Sequence, residues 1–249
     1  MLFRTLILWA AGLPVTALLF AVVLLCALLD RSGDMVHSVG SLWARIVLAL
    51  AGVKVEVRGL ENLPAEGPMI LAANHRGIFD IPAVMGCVPV RFRWIAKKSL
   101  FSIPVIGWTM SLAGYIAIER ERATKAYRSM LAAAKKISEG TSVLIFPEGT
   151  RNTSGRGLLP LKRGGFLLAA RSGVPIVPLA IVGTRDIMRD GSMLIRPSNV
   201  TILIGEPIET GGRTDKELRE LTAAALEAGL ARIEGAPRSN PREETVNDI

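Results

Sequence analysis

An apolar and uncharged run near the start of the chain, residues 6–29, sets the strongest limit on its fold. Its 24 positions contain no Asp, Glu, Lys or Arg. As an α-helix the run would be ~36 Å long, enough to cross a hydrocarbon core of ~30 Å. A cleaved signal peptide is the alternative, but its apolar region is usually only ~7–15 residues long and follows a more basic start. The run therefore predicts a retained membrane-anchoring helix.

A second apolar segment follows a polar break at residues 30–34. Such a helix either lies in the membrane interface or pairs with the first helix as a hairpin. Pro14 can kink the first helix and the flanking charges set no orientation, so a full crossing and a re-entrant hairpin both stay open. Residues 1–52 are thus predicted to be a two-helix membrane anchor. The large apolar side chains of the second segment recur with the spacing of one helical face: Val39, Leu42, Trp43, Ile46, Val47 and Leu50.

The excess positive charge lies in the rest of the chain. The formal net charge is +8, and because the charges of residues 1–50 and 236–249 together cancel, the whole excess belongs to residues 51–235. This field favours anionic partners such as phosphorylated substrates, acidic carriers and anionic lipid surfaces. Nucleic acid is not expected, because few aromatic residues interleave with the basic ones to stack on bases. Cys26 and Cys87 are too few and too separated for a disulfide framework or a metal site, and a reducing cytoplasm is the natural setting.

From residue 53 onward, short apolar segments alternate with helical patterns. Continuously apolar strands in such an alternation are typical of an α/β fold with a mixed, largely parallel sheet flanked by helices. Residues 53–235 are therefore expected to form one α/β domain, and the polar, proline-bearing residues 236–249 a disordered tail. Thr214 or Asp215 is expected to cap the last helix. We predict strands at residues 53–57, 69–73, 92–96, 115–118, 142–146, 176–182 and 200–204, and helices at residues 81–86, 123–139, 165–172 and 214–233.

One short stretch combines a histidine with a carboxylate at the end of a predicted strand. His75 follows the apolar run 69–73, and Asp80 comes five residues later. A histidine held by an acidic partner is suited to act as a general base, but residues five apart do not share a helix face. A turn or a helix start must therefore bring the two together, which Gly77 permits. The other interpretation is a surface loop in which Asp80 only caps a helix.

A second group of polar residues follows the predicted strand 142–146. Glu148, Thr150 and Arg151 stand together at its end, where ligands collect in α/β sheets. Arg151 can clamp a phosphate with two hydrogen bonds, and Glu148 can bind hydroxyls or hold the arginine. A salt-bridged turn is the alternative.

Four motifs in a fixed order carry a resemblance to a known family. The set resembles the glycerolipid acyltransferases, in particular the bacterial 1-acyl-glycerol-3-phosphate acyltransferases, over residues 63–183. Each motif alone is common, whereas the four in this order are specific. They are Asn-His-x4-Asp at residues 74–80, Gly-Tyr-Ile-Ala-Ile-Glu-Arg at 114–120, Phe-Pro-Glu-Gly-Thr-Arg at 146–151 and Val-Pro-Ile-Val-Pro-Leu-Ala at 174–180.

The resemblance implies a role for each matching residue. It makes His75 the general base and Asp80 the group that orients it. A phosphate-binding lysine of the family matches Lys97, with Lys98 as the alternative, although relatives often have a carboxylate where Ser99 stands. The substrate-binding residues implied in this way, which would hold the glycerol phosphate, are Lys97, Arg120, Glu148, Gly149, Thr150 and Arg151.

The resemblance also implies the reaction. An acyl group would pass from acyl-CoA or acyl carrier protein to the sn-2 hydroxyl of 1-acyl-glycerol 3-phosphate, giving phosphatidic acid, while His75 takes the hydroxyl proton. The acyl donor, the lysophospholipid and membrane lipids would be the partners, with no cofactor and no metal. The expected location is the cytoplasmic side of a bacterial inner membrane. Glycerol 3-phosphate, another lysophospholipid or a lyso-aminolipid are alternative acceptors, and a non-catalytic basic protein of lipid surfaces is the alternative class.

Overall fold

The computed structural model describes residues 1–119 and 123–235. Short 3-10 helices occupy Leu60–Asn62 and Lys98–Ser102. The helices are α1 (Leu2–Leu29), α2 (Asp34–Ala51), α3 (Asp80–Cys87), α4 (Ile106–Leu112), α5 (Ala123–Ser138), α6 (Arg163–Ser172), α7 (Thr184–Ile187) and α8 (Asp215–Glu234). The strands are β1 (Lys54–Arg58), β2 (Ile70–Ala73), β3 (Arg93–Lys97), β4 (Ile116–Ile118), β5 (Val143–Ile145), β6 (Ile176–Val182) and β7 (Asn199–Ile204).

The seven strands form one sheet in the order β1-β7-β6-β2-β5-β3-β4. The five strands β6, β2, β5, β3 and β4 are all parallel to one another. β7 is antiparallel to β6 and parallel to β1. Parallel neighbours need a crossover connection, and helices supply it, as α4 does between the neighbouring strands β3 and β4. The predicted fold class is therefore confirmed, and the carboxyl ends of five strands share one edge of the sheet.

Both faces of the central strands are buried, which explains why β2, β5 and β6 read as continuous apolar runs. Along β2, Leu71 and Ala73 join the core under α3, while Ile70 and Ala72 join the core under α5, α6 and α8. The last of these helices begins with a capping box between Thr214 and Glu217, so Thr214 is confirmed as its cap.

The two N-terminal helices are long and apolar enough to cross a membrane by length and composition. Large apolar side chains on α1, such as Leu13, Leu18 and Leu25, are exposed. The one apolar face expected for α2 packs on α1, where Trp43 Nε1 donates to Thr16 Oγ1 over 3.0 Å. However, α2 has a second buried face, including Ala44, that packs on α3. The pattern of large side chains does not show this face because several of its residues, such as Ala44 and Ala51, are small.

Two predictions fall on residues outside those that the structure describes. One is the disordered tail at residues 236–249, and the other is the substrate-binding role of Arg120. The predicted boundary at residue 52 falls at Gly52, directly after α2. Leu8, Ala44 and Leu48 nevertheless belong to the same hydrophobic core as one face of the sheet, so the two helices and the α/β domain are packed together.

Candidate active site

The carboxyl edge of the parallel strands collects most of the predicted site residues. His75 comes directly after β2 and Asn74, the 146–151 motif follows β5, and Lys97 is the last residue of β3. Helix α7, which follows β6, begins with Thr184. β2, β5 and β3 are consecutive in the sheet. Lys97, at the end of β3, therefore lies two strand spacings, or about 10 Å, from β2, the strand that precedes His75.

His75 and Asp80 form the pair that their spacing suggested. Nδ1 of His75 lies 2.7 Å from Oδ2 of Asp80. Asp80 is fully buried, while the His75 side chain is 15% exposed. A carboxylate only accepts hydrogen bonds, so Nδ1 carries the proton and Nε2 is the ring nitrogen with a lone pair. Asp80 is the first residue of α3, and its carboxylate turns back to the preceding loop instead of capping the helix.

The Asp80 carboxylate is held from three further directions. Its Oδ2 accepts from the backbone amides of Arg76 at 2.8 Å and Gly77 at 2.9 Å. Its Oδ1 accepts from the hydroxyl of Thr184, which is fully buried at the start of α7. Thr184 is not among the predicted site residues, because nothing in its local sequence distinguishes it from any threonine that follows a strand. Together with the imidazole, these three donors hold the Asp80 carboxylate in one orientation.

Gly77 has a spatial role that differs from the one expected. Its φ is not positive, so the turn does not require glycine for its conformation. A Cβ at this position would instead lie 2.9 Å from backbone atoms of Thr184 and Arg185. The missing side chain thus lets the His75 loop and the start of α7 approach closely enough for Thr184 to reach Asp80.

Glu148 fixes the backbone of the His75 loop. Its Oε1 accepts from the His75 amide at 2.7 Å, and its Oε2 accepts from the Leu159 amide at 2.8 Å. The side chain is buried, and the Asn152 amide donates to the His75 carbonyl over 2.6 Å. In this structure both oxygens of the Glu148 carboxylate accept from backbone amides of the protein. That Glu148 also binds the glycerol phosphate stays a prediction.

Phe146 connects His75 to an apolar cleft. The two rings are stacked with centroids 4.0 Å apart and an angle of 11° between their planes. Phe146 also lines a cleft of about 390 Å³ at the carboxyl edge, beside Gly149 and Lys162. Gly149 has a φ of 71°, and its missing side chain leaves room for Lys162. The apolar part of the lining comes from Ile95, Ile118, Met130, Ile145 and Leu168.

The other cations predicted for the site follow strands β3 and β5. Arg151 forms an ion pair with Asp190, with 2.7 Å between Nη1 and Oδ1. A salt bridge was the alternative interpretation of this motif, and its partner comes from the segment after α7. Thr150 is exposed on the turn. Lys97 and Lys98 are both exposed at the end of β3, and Nζ of Lys98 lies 3.4 Å from Oε2 of Glu119.

His75 and its surroundings are suited to take a proton from a substrate that carries a negative charge. An imidazole with a fixed tautomer, one buried acidic partner and nearby Lys and Arg side chains suit general-base chemistry on an anionic substrate. Among residues 1–119 and 123–235, no group of three or more His, Cys, Asp and Glu side chains is placed to hold a metal ion.

The chain is similar to known proteins in sequence and in fold. A family model described as "Acyltransferase" matches residues 54–182. A chloroplastic 1-acyl-sn-glycerol-3-phosphate acyltransferase of Brassica napus is 36% identical over 69% of the chain, but the chain spans only 50% of that relative's length. A 1-acyl-sn-glycerol-3-phosphate acyltransferase of Haemophilus influenzae is 36% identical over 73% of the chain and 75% of the relative.

A solved structure is similar over nearly the whole chain. The crystal structure of the 1-acyl-sn-glycerophosphate acyltransferase PlsC from Thermotoga maritima superposes with a TM-score of 0.82 at 26% identity. The match covers 96% of this chain and 98% of the other, so it includes the two N-terminal helices as well as the α/β domain.

Proposed function

The chain belongs to the acyltransferase family, and on that basis we propose that it transfers an acyl group from a thioester to the sn-2 hydroxyl of 1-acyl-glycerol 3-phosphate, giving phosphatidic acid. The observation that carries the proposal is the pair of His75 and buried Asp80, joined over 2.7 Å at the carboxyl edge of the sheet. The names of the relatives supply the acceptor. The donor is acyl-CoA or acyl carrier protein, and no other cofactor takes part.

In the proposed reaction, Nε2 of His75 takes the proton of the acceptor hydroxyl as its oxygen attacks the thioester carbonyl. The tetrahedral intermediate then collapses, the carbon–sulfur bond breaks, and the imidazolium returns the proton to the leaving thiolate. Asp80 stabilises the imidazolium, and the stacked ring of Phe146 adds a cation–π contribution. General-base catalysis of this kind is worth ~10²–10⁴ in rate.

The acceptor phosphate is proposed to bind between the cations of the edge. Arg151, paired with Asp190 at 2.7 Å, would exchange that carboxylate for the phosphate, which offers the same two-oxygen geometry with more charge. Lys97 would contribute from the end of β3, and Arg120 from the second motif. Gly149 and Thr150 would let the phosphate approach the backbone of the turn, and Glu148 would hold the loop that carries His75.

The cleft beside Phe146 is proposed to receive an acyl chain. Its volume of about 390 Å³ and its lining by Ile95, Ile118 and Leu168 suit a hydrocarbon chain. Because the substrate and product are lipids, we place the protein on a membrane through α1 and α2, with the catalytic domain on the cytoplasmic side of a bacterial inner membrane. The exposed apolar residues of α1 support the membrane part of this proposal.

The test is an assay of the purified protein with acyl-CoA and acyl carrier protein donors against a set of acceptors. The set contains 1-acyl-glycerol 3-phosphate, glycerol 3-phosphate, lysophosphatidylcholine and a lyso-aminolipid, and mass spectrometry identifies the products. We expect phosphatidic acid to form faster than any other product. Faster acylation of another acceptor would replace the proposed substrate, and no consumption of thioester with any pair would refute the proposed activity.

A further inference from the structure

The segment between β3 and β4 presents an apolar surface that the proposed chemistry does not explain. No charged residue occurs between Lys98 and Glu119. The first part of this stretch, residues 98–112, folds into the 3-10 helix Lys98–Ser102 and helix α4, and we refer to it as the α4 segment. Its exposed large apolar residues are Leu100, Ile103, Ile106, Trp108 and Leu112, with Ile106 56% and Trp108 54% exposed. A soluble surface rarely carries so dense a group of large apolar side chains.

The α4 segment has a defined conformation in which those side chains point outward. Val105 has a φ of 64°, and the amide of Ile106 donates to the carbonyl of Pro104 over 2.7 Å, which makes a γ-turn. A β-branched residue with positive φ costs ~1–3 kcal/mol and persists only where the surrounding structure holds it. Gly107 supplies part of that restraint, because a Cβ there would collide with the backbone of Phe101. The strained turn separates Ile103 from Ile106 and leaves both exposed.

The exposed face of the α4 segment is continuous with that of α1. The rings of Trp108 and Phe20 lie 6.1 Å apart, so the segment extends the apolar surface of the helix that we place in the bilayer. Lys97 directly precedes the α4 segment and Lys98 is its first residue, so two basic side chains lie at its edge next to the sheet. Exposed apolar side chains with a tryptophan and a basic edge are characteristic of segments that lie in the membrane interface.

We propose that the α4 segment is a third membrane-contacting element, whose Leu100, Ile103, Ile106 and Trp108 lie among the acyl chains of the bilayer surface. The proposal rests on the proposed membrane location of the protein. Because Lys97 directly precedes the segment, it is held at the boundary between lipid and water. A lysophospholipid could therefore move sideways from the bilayer to the site while its phosphate stays at headgroup depth and its chain stays in hydrocarbon.

The experiment measures lipid contact residue by residue in the full-length protein. In a background with Cys26→Ala and Cys87→Ala, three variants receive one environment-sensitive fluorophore each: Ile103→Cys, Leu18→Cys and Leu221→Cys. Leu18 on α1 reports membrane binding itself. Leu221 is the matched control, since it is 43% exposed against 40% for Ile103 and lies on α8, which packs on the opposite face of the sheet from α1. Each is reconstituted in phosphatidylethanolamine and phosphatidylglycerol vesicles, with or without nitroxide-labelled acyl chains.

We expect the fluorophore of the Ile103→Cys variant to be quenched by the acyl-chain nitroxides to a degree similar to that of Leu18→Cys, and several-fold more than that of Leu221→Cys. Quenching no greater than that of Leu221→Cys would overturn the proposal, provided that Leu18→Cys is quenched. A fluorophore on Ile103→Cys whose emission indicates an apolar environment but which the nitroxides do not quench would also overturn the proposal. A second protein copy, and not lipid, would then cover the segment. Acyl transfer measured on the unlabelled parent protein in the same vesicles keeps the two proposals separate: quenching in the variants without activity of the parent protein would refute the enzyme and leave the lipid contact standing.

Discussion

The hydroxyl of Thr184 donates to Oδ1 of Asp80, the carboxylate oxygen that His75 does not contact. The side chains of Thr184 and Asp80 are fully buried. Since His75 uses Oδ2, the hydroxyl and the imidazole hold the two oxygens of one carboxylate from opposite ends. The plane of the carboxylate, and with it the direction of the imidazole, is thus set jointly by the loop after β2 and the start of α7.

Replacing Thr184 with Val should reduce kcat and leave KM nearly unchanged. The isosteric change leaves one buried carboxylate oxygen without its donor, which costs ~1–3 kcal/mol, and about 1.4 kcal/mol corresponds to a tenfold change in rate. Thr184→Ser keeps the hydroxyl and should restore most of the turnover. Steady-state kinetics with thermal melting as a check on folding would measure this. A Thr184→Val variant with the kcat of the parent protein would show that the hydroxyl does not position Asp80.

A methyl group at Gly77 should impair both folding and turnover. Its Cβ would meet backbone atoms of Thr184 at 2.9 Å, so the loop or α7 must shift and the contact between Thr184 and Asp80 must lengthen. Gly211→Ala is the control, because no atom lies within 4 Å of the Cβ position there and its φ is not positive. We expect Gly77→Ala to lower Tm and kcat, and Gly211→Ala to change neither by much. Equal behaviour of the two variants would contradict the close approach as the reason for glycine.

Two substitutions should change the binding of the acceptor in opposite directions. Arg151→Met removes the proposed phosphate ligand and should raise KM for lysophosphatidate by ~10-fold or more, since hydrogen bonds between charged groups are worth ~1.5–3 kcal/mol. Asp190→Asn weakens the ion pair that holds Arg151, so it should leave the guanidinium freer for phosphate and lower KM. Kinetics over a range of acceptor concentrations would reveal the difference. A raised KM in Asp190→Asn would instead mean that the ion pair positions Arg151 for binding.

The sheet could be predicted from the sequence because its central strands are buried on both faces. β2, β5 and β6 therefore appear as uninterrupted apolar runs, whereas the half-buried edge strand β1 alternates apolar and charged residues. All seven predicted strands agree with the structure to within one residue at either end. Helix α4 was not predicted, since its seven residues are too few to show a helical period and the preceding turn uses Val105 where glycine would have signalled it. The second face of α2 was missed because Ala44 is a small side chain.

The candidate site was only partly predictable for a different reason. His75 and Asp80 are five residues apart, so a local motif suggests their contact. Thr184 lies 104 residues from Asp80 in the chain, and only the neighbouring positions of β2 and β6 in the sheet bring it there. The clamp by Glu148 on the amides of His75 and Leu159 likewise depends on β5 lying next to β2, which no local pattern records.

If His75 is the general base of an acyl transfer, a purified His75→Ala variant must form phosphatidic acid far more slowly than the parent protein. The His75 side chain is 15% exposed and stacks on Phe146, and Oδ2 of Asp80 keeps its two backbone donors when the imidazole is removed, so we expect an unchanged circular dichroism spectrum and a similar Tm. We predict that turnover falls at least ~10²-fold, the lower limit of what general-base catalysis contributes. A folded His75→Ala variant that turns over at the rate of the parent protein would contradict the account.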